Sequence, residues 1–333
     1  MKNNKEKEVT IVDIAKYLQL SNITVSRAFS NPQLVKQETR ELIYETAAKL
    51  KYRPNAFARS LKTNSSKLIG VITDSTYNPV YAQVVKELCE KADKNGYTLM
   101  MFETAGSSIN EERALDALFS YKVAGIVLSV VHDIKGYKPS YVQRARGYNI
   151  PLVLLDRDID GYRLPGVFLN NYEIGVKCGN YLAQKEIKKL LIVGGPEESL
   201  ITQERIKGIL SILETKQVDY EIVYADYAYD KAKENLKTYF KTLPNPPSHF
   251  VGINGLISLA FIGMCRQYGI KDVDYFSIDE VPYAKDFGFD IPCVYSSPFE
   301  WGQKISELLF NLIENNNSSK FNERLYVLGK VIA

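Results

Sequence analysis

Residues 1–50 contain three stretches in which apolar side chains recur at helical spacing. Thr10 and Asp13 form a capping-box-like start to the first stretch. Ser21 is placed to cap a second helix over residues 22–29, which Asn31 and Pro32 end. A third helix is expected over residues 38–50. The side chains expected in the core of this three-helix domain are Ile11, Ile14, Ala15, Leu18, Val25, Ala28, Leu42, Ile43, Ala47 and Leu50.

From residue 67 onward, short apolar runs typical of buried strands alternate with helical stretches. Strands are expected at residues 68–73, 98–102, 125–131, 152–155, 167–169, 190–193, 221–224, 250–253, 275–278 and 294–295. Helices are expected at residues 81–95, 111–121, 175–184, 204–214 and 256–268. This many strands exceeds one small doubly wound sheet. The pattern therefore predicts an α/β body with two similar lobes of parallel sheet, although no sequence repeat is visible.

Charge is divided unevenly along the 333 residues. Residues 1–66 contain 12 basic and 6 acidic residues, a formal charge of +6, whereas the remainder has 30 and 33, a formal charge of −3. A basic folded segment ahead of a mildly acidic body favours polyanion binding by the first and another task for the second. A solvated basic tail is the alternative, but the periodic apolar residues indicate a folded domain.

Several classes of protein lack their usual signals in this sequence. There is no early apolar run of the signal-peptide type and no stretch close to the ~20 apolar residues that cross a bilayer. The widely spaced cysteines, Cys89, Cys178, Cys265 and Cys293, indicate reduced thiols and a cytoplasmic protein. Phosphate-binding loops, nucleophile elbows and metal-ligand spacing around His132 and His249 are missing. We therefore expect no cofactor, no metal and no catalysis.

The second helix of the head carries side chains suited to reading DNA bases. Arg27 can make a bidentate contact to guanine, Asn22 can pair with an adenine edge, and Ile23 can touch a thymine methyl group. Ser26 is also free to face outward. A helix-turn-helix reader is thus predicted, with a generic three-helix bundle as the alternative.

A basic segment follows the head. Pro54 and Asn55 can open a short helix that would be marginal alone in water. Leu61, between Arg59 and Lys62 near the end of this segment, resembles a minor-groove wedge flanked by phosphate contacts. A plain interdomain linker is the alternative.

Polar side chains follow the predicted strands of the body where parallel sheets bind ligands. Arg205 joins them from a helix that follows Gly194, Gly195 and Pro196. As a set they suit a ligand with many hydroxyl groups, although each residue alone is more often a helix cap or a surface charge. The set is Asp74, Ser129, Asp156, Arg205, Asn254 and Asp279.

The motifs of the head resemble those of the lactose/galactose/purine repressor family, the LacI/GalR family. They are Thr10-Ile11, Asp13-Ile14-Ala15, Ser21, Thr24-Val25-Ser26-Arg27, Tyr52-Arg53-Pro54-Asn55-Ala56 and Ala58-Arg59-Ser60-Leu61-Lys62. The resemblance continues through nearly the whole chain. It implies that the second helix reads the major groove and that two hinge helices of a dimer meet in the minor groove. The DNA-binding residues so indicated are Thr10, Ser21, Asn22, Ile23, Thr24, Ser26, Arg27, Asn55, Ala58, Leu61 and Lys62.

For the body, the resemblance implies a periplasmic-binding-protein-like fold with a small effector between its lobes. The five strand-end residues and Arg205 match effector-contact positions of the family, and Tyr81 and Phe299 are candidate walls of the site. Three departures from the family pattern stand out. Lys36 replaces a usual Ser or Thr cap, Asn254-Gly255 replaces an Asn-Asp pair, and Asn170-Asn171 replaces an Asp-Asn pair.

These observations predict a helix-turn-helix domain over residues 1–53, a hinge over 54–66 and an effector-binding, dimerising body over 67–333. The body is expected to divide into an N-subdomain (67–163 and 296–325) and a C-subdomain (164–295 and 326–333). The predicted function is a homodimeric, sequence-specific transcriptional repressor whose operator affinity responds to a sugar or sugar phosphate. A regulator controlled by a protein co-regulator and a pure ligand-binding protein are the alternatives.

Overall fold

The computed structural model describes residues 9–53, 66–242, 246–315 and 322–333. The chain divides after Ser66 into two compact units, which we call the head and the body. Asn55, Ala58, Leu61 and Lys62, the expected hinge residues, lie outside the described residues.

The head contains three helices, α1 (Ile11–Leu18), α2 (Asn22–Ser30) and α3 (Gln37–Lys49), with a 3-10 turn at Pro32–Leu34. The predicted capping box is present, because the Thr10 side chain accepts from the backbone N–H of Asp13 and the Asp13 carboxylate accepts from that of Thr10. The fully buried core is Ile14, Ala15, Val25, Ala28, Ile43 and Ala47. The predicted helices of the head are therefore confirmed.

The expected burial of Leu42 is wrong, since this side chain is 49% exposed. The inward stripe of α3 runs through Ile43, Thr46 and Ala47. Position 42 lies one residue, about 100° of helical rotation, from the start of that stripe.

Lys36 stands at the N-cap of α3 and its side chain makes no capping hydrogen bond. We expect Lys36→Ser to stabilise the start of α3 by about 1 kcal/mol, because a serine oxygen can accept from a first-turn N–H. Hydrogen exchange of the α3 amides in the full chain measures the effect. Lys36→Ala removes the same charge without adding a cap, so equal protection in the two variants would contradict this expectation.

The body contains two lobes, each built on a six-stranded sheet within the described residues. The first lobe contains β1 (Leu68–Thr73), β2 (Thr98–Glu103), β3 (Gly125–Leu128), β4 (Leu152–Leu155), β5 (Gly166–Leu169) and β11 (Arg324–Val327), with helices α4 (Pro79–Lys94), α5 (Ser108–Ser120), α6 (Tyr141–Gly147) and α11 (Pro298–Asn315). The second lobe contains β6 (Leu190–Gly194), β7 (Tyr220–Tyr224), β8 (His249–Gly252), β9 (Asp274–Ile278), β10 (Cys293–Ser296) and β12 (Gly329–Ile332), with helices α7 (Asn171–Leu182), α8 (Leu200–Leu213), α9 (Tyr229–Thr242) and α10 (Gly255–Gln267). Two more 3-10 turns lie at Glu214–Lys216 and Lys285–Phe287.

The two sheets repeat one topology. Their strand orders are β11-β5-β4-β3-β1-β2 and β12-β10-β9-β8-β6-β7, so β4 in the first lobe corresponds to β9 in the second. The described strand pairs are parallel except β10 with β12. The α/β fold with two parallel-sheet lobes is thus confirmed, and the structure shows a repeat that the sequence does not.

The predicted subdomain limits need correction. Leu154 pairs with Gly166, so β5 belongs to the first sheet and that lobe continues past residue 163. The predicted limit at 326 cuts through β11, which pairs with β5 in the first sheet. The chain therefore crosses between lobes after Leu169, after Ser296 and after Val327. A short apolar strand fits either sheet by its pattern, and only its pairing decides between them.

The strands in the interior of the two sheets are almost wholly buried. Every residue of β3, β4, β5, β6 and β8 is buried. Since parallel strands run the same way, their carboxyl ends lie along one edge of each sheet, and the two edges form a cleft between the lobes.

Candidate functional site

One face of α2 presents the predicted base-reading side chains to solvent. Ser21, Asn22 and Arg27 are exposed, and Ile23 is 63% exposed although it is large and apolar. Thr24 and Ser26 are partly buried. In the described part of the chain, Arg27 forms no ion pair, so its guanidinium is free to contact an external acceptor.

The opposite face of α2 is fixed by packing and hydrogen bonds. Val25 and Ala28 are fully buried, and the Tyr44 hydroxyl donates to the Ala28 carbonyl at 2.6 Å. At the start of the helix, the Ser21 hydroxyl accepts from the Thr24 N–H at 3.0 Å. Ser21 and Thr10 therefore serve as helix caps, and α2 is a preorganised element with an exposed polar face.

The cleft between the lobes contains an inner chamber of about 80 Å³. Six of the eight predicted effector residues line it: Asp74, Tyr81, Asp156, Arg205, Asn254 and Asp279. The structure adds lining residues that sequence reasoning missed, among them Arg157, Leu169, Tyr227 and Trp301. Both lobes contribute to the chamber.

Asp156 and Asp279 occupy equivalent places in the two lobes. Each follows the fourth strand of its sheet and has a left-handed backbone, with φ of 70° and 65°. Asp tolerates this conformation better than most residues. Burial raises the pKa of both carboxyl groups, while the positive charge of Arg205 opposes the rise.

Two nitrogens of the Arg205 guanidinium are held by three acceptors in the second lobe. Its Nε donates to the Asn171 side-chain oxygen at 2.9 Å. Its Nη1 donates to the Ile253 carbonyl at 2.5 Å and lies 3.4 Å from the Asp279 carboxylate. The arginine thus links the start of α7 to the residues that follow β8 and β9 in the second lobe.

Arg157, which the sequence reasoning missed, has the corresponding role in the first lobe. Its Nη2 lies 3.1 Å from the Asp74 carboxylate, and its Nη1 donates to the carbonyls of Val130 and Val131. The guanidinium also lies 5.1 Å from the ring centroid of Tyr227, a residue of the second lobe. Its position as the second residue after a wholly buried strand, next to the predicted Asp156, is the signal that could have identified it.

Tyr81 donates its hydroxyl to one oxygen of Asp156, Oδ2, at 2.9 Å. Burial raises the pKa of Tyr81 well above its ordinary value, so the hydroxyl keeps its proton. The other oxygen, Asp156 Oδ1, is buried and has no hydrogen-bond partner among the described residues. An unpaired buried carboxylate oxygen is energetically costly.

Ser129 lies behind Tyr81 and does not line the chamber. It is fully buried, and its hydroxyl oxygen is 2.9 Å from the Tyr81 hydroxyl. Ser129 therefore positions Tyr81 and has no surface on the chamber.

Comparison with known proteins identifies the family of the chain. A model of the bacterial regulatory proteins of the lacI family matches residues 10–55, and a model of the periplasmic binding protein domain matches residues 69–317. The chain belongs to the LacI family. The second match covers the cleft and both lobes.

Individual relatives are distant but extend along nearly the whole chain. The ribose operon repressor of Bacillus subtilis (strain 168) is 27% identical over 315 residues, covering 92% of each sequence. The lac repressor dimer bound to operator and the anti-inducer ONPF aligns over 98% of both chains with 20% identity and a TM-score of 0.76. A complex of the transcriptional regulator CelR with cellobiose aligns over 98% of this chain and 99% of the other, with 19% identity and a TM-score of 0.68.

Two departures from the LacI family pattern have a structural reason. A Cβ on Gly255 would lie 2.2 Å from the Glu280 carbonyl oxygen, so this position has no room for the usual Asp. Asn254 caps α10 by accepting from the Ile257 N–H at 2.7 Å, and Asn171 holds Arg205. The amides of both pairs are therefore used in building the site.

Phe299 does not line the cleft of this LacI family member, contrary to the prediction. It is 49% exposed, and Trp301 supplies the apolar wall. The indole N–H of Trp301 donates to the Val167 carbonyl at 3.0 Å. Residues 299 and 301 are about 200° apart around α11, so one faces the chamber and the other faces away.

No helix in the described ranges is long and apolar enough to span a membrane.

Proposed function

We propose that this protein is a homodimeric transcriptional repressor that binds a specific operator through α2. A sugar that binds between the lobes raises or lowers the affinity for this operator. The polar side chains that both lobes bring to the inner chamber, among them Asp156, Arg205 and Asp279, are the observation that carries the effector part. The protein acts on DNA in the cytoplasm and works by binding, without chemical conversion of its ligand.

The DNA-binding part rests on the family match and on the exposed face of α2. Asn22, Ile23 and Arg27 are the proposed base readers, while Thr10, Ser21, Thr24 and Ser26 position the helix against the DNA backbone. Asn55, Ala58, Leu61 and Lys62 are proposed to form the hinge that enters the minor groove.

The nature of the effector follows from the polar groups of the cleft. Carboxylates that accept hydrogen bonds and a neutral tyrosine hydroxyl suit a molecule covered with hydroxyl groups. Relatives support this assignment, since one is named for ribose and a solved structure contains cellobiose.

Binding alone does not change operator affinity. The sugar must bind one arrangement of the two lobes better than the other. The free energy by which it can shift the equilibrium between the arrangements equals the difference between its two binding free energies. Both lobes line the inner chamber, so a ligand there contacts both and distinguishes their arrangements.

Selection of binding sites from random DNA, followed by titration of the selected operator with and without sugars, tests the proposal. A selected near-palindrome and a sugar-dependent shift in its dissociation constant are expected. Specific operator binding that no small molecule alters would contradict the effector part and leave the DNA-binding part intact.

Arg27→Ala is expected to relax the preference at one base pair of each half-site by about 1–3 kcal/mol. The exposed guanidinium makes no internal ion pair in the described structure, so the variant should fold normally. Arg40→Ala is the matched control, because the Arg40 guanidinium donates a hydrogen bond to the Pro32 carbonyl at 3.4 Å within the head. A uniform loss across all operator variants, equal to that of the control, would show that Arg27 contacts only phosphate.

A further inference from the structure

Beyond the inner chamber, the cleft widens into an outer chamber of about 920 Å³. The loops that follow β1, β2 and β3 line one side, and those that follow β6, β7 and β9 line the other. Asp74, Arg157 and Tyr227 line both chambers and mark their junction. The inner chamber has the volume of about six waters, which is at most one small sugar ring. A single ring there leaves the larger chamber unfilled.

Two tyrosines of the outer chamber are largely exposed. Tyr77, in the loop after β1, is 88% exposed, and Tyr283, in the loop after β9, is 70% exposed. They belong to opposite lobes. Aromatic rings offer flat apolar surface at low entropic cost, and the C–H face of a sugar ring packs on such a surface.

The backbone of Tyr283 is strained, with φ of 60°. A left-handed conformation is rare for a bulky side chain, and residues so held cluster at ligand-clamping sites. The Tyr283 carbonyl accepts from the Phe287 N–H at 3.3 Å, so a turn holds the loop in place.

Hydrogen bonds also order the loop that carries Tyr77. The Glu103 carboxylate accepts from the backbone N–H of Thr76 at 3.0 Å and from the Thr76 hydroxyl. The Tyr77 N–H donates to the Ser75 hydroxyl at 3.1 Å. The backbone is thus fixed while the aromatic ring remains exposed.

The charges of the outer chamber disfavour an anionic ligand. Its carboxylates are Asp74, Glu103, Asp133, Glu198, Asp226 and Asp230, and its Lys and Arg side chains are Arg157 and Lys231. Arg157 is paired with Asp74, and Lys231 lies 3.9 Å from Asp226 and 3.5 Å from the Ala105 carbonyl. A phosphate or a sugar acid would meet an excess of negative charge, whereas hydroxyl groups would find acceptors.

We infer that the outer chamber is a second sugar subsite, and that the effector is an uncharged saccharide of at least two units. One end unit occupies the inner chamber, and the next unit packs against Tyr77 and Tyr283. This inference rests on the proposed function and narrows its ligand from sugars in general to neutral saccharides of at least two units.

Calorimetric titration of the full-length protein tests the inference. The probes are ribose, glucose, galactose and xylose; maltose, cellobiose, lactose and xylobiose; and glucose 6-phosphate and galacturonate. We expect one disaccharide to bind at least about tenfold more tightly than its component monosaccharides. Tyr77→Ala and Tyr283→Ala should each lower the affinity for that disaccharide by about tenfold and change the affinity for its monosaccharides by less than about twofold. Tyr283→Phe keeps the ring and should retain the preference.

Phe287→Ala is the matched control, because Phe287 is exposed near Tyr283 but does not line the chamber. It should leave both affinities unchanged. A monosaccharide that binds as tightly as every disaccharide, or a phosphate or sugar acid that binds best, overturns the inference while the proposed sugar-responsive repressor stands. Equal losses for monosaccharide and disaccharide in the tyrosine variants also overturn it. The absence of binding by every saccharide overturns both.

Discussion

Replacing Gly208 with alanine is expected to destabilise the body by roughly 3 kcal/mol. Gly208 lies where α8 crosses α7, and a Cβ there would lie 2.2 Å from the Tyr172 carbonyl oxygen and 2.8 Å from the Val176 nitrogen. Across the same contact, a Cβ on Gly175 would lie 2.2 Å from the Arg205 carbonyl oxygen. Because the neighbours are backbone atoms, no side-chain rotation relieves the clash, and the two helices must separate.

Urea unfolding of the full-length protein, followed by hydrogen exchange in α7 and α8, measures the change. Gly263→Ala is the matched control, since its nearest neighbour is the Tyr229 hydroxyl at 3.8 Å. That substitution should be neutral or should stabilise α10 by up to about 1 kcal/mol through helix propensity. A Gly208→Ala variant within about 0.5 kcal/mol of the unsubstituted protein would refute the contact as a stability determinant.

The α7–α8 contact also matters for ligand binding. Asn171, the first residue of α7, holds Nε of Arg205, which α8 carries. Separation of the two helices would draw this hydrogen bond apart and move the arginine from Asp279. Weaker sugar binding should therefore accompany the loss of stability in Gly208→Ala.

The apolar pattern located most helices of the body but placed their starts too late. The predicted starts at residues 81, 111, 175, 204 and 256 correspond to observed starts at Pro79, Ser108, Asn171, Leu200 and Gly255. The caps of these helices are the side chains of Asn78, Ser107, Asn170, Ser199 and Asn254. Because apolar periodicity identifies the body of a helix and not its first residue, capping residues are the better guide to where a helix begins.

The strand-end rule placed Asp74, Asp156, Asn254 and Asp279 in the inner chamber because topology alone brings parallel strand ends together. It could not distinguish a side chain that faces the ligand from one that supports it, as with Ser129 behind Tyr81. Nor could it find Trp301, whose direction depends on how α11 packs against the first sheet. β11 and β12 were missed because their short, partly exposed sequences lack the continuous apolar run of the buried strands.

Arg205→Met is expected to lower the free energy of unfolding by about 4 kcal/mol near neutral pH. The change preserves much of the side-chain volume but leaves the Asp279 carboxylate, the Ile253 carbonyl and the Asn171 oxygen without their donor. Lys189→Met is the matched control, because the Lys189–Glu221 pair at 3.2 Å is partly exposed in the same lobe. Loss of that pair should cost less than about 1 kcal/mol.

The loss of unfolding free energy caused by Arg205→Met should grow as the pH rises from about 4 to neutral. Burial already raises the pKa of Asp279, and removing the guanidinium that opposes this shift raises it further. Between the ordinary Asp pKa of about 4 and the raised pKa of the folded variant, the folded variant holds a proton that the unfolded chain releases. The stability of the variant therefore falls as the pH rises through this range. The deficit relative to the unsubstituted protein should be smallest near about pH 4 and largest at neutral pH. Adding Asp279→Leu removes the orphaned carboxylate and should reduce this dependence to the part that Asp156 contributes, since Arg205 also opposes the pKa rise of that carboxyl group, whereas a deficit independent of pH in the single variant would mean that Arg205 acts through packing and hydrogen bonds alone.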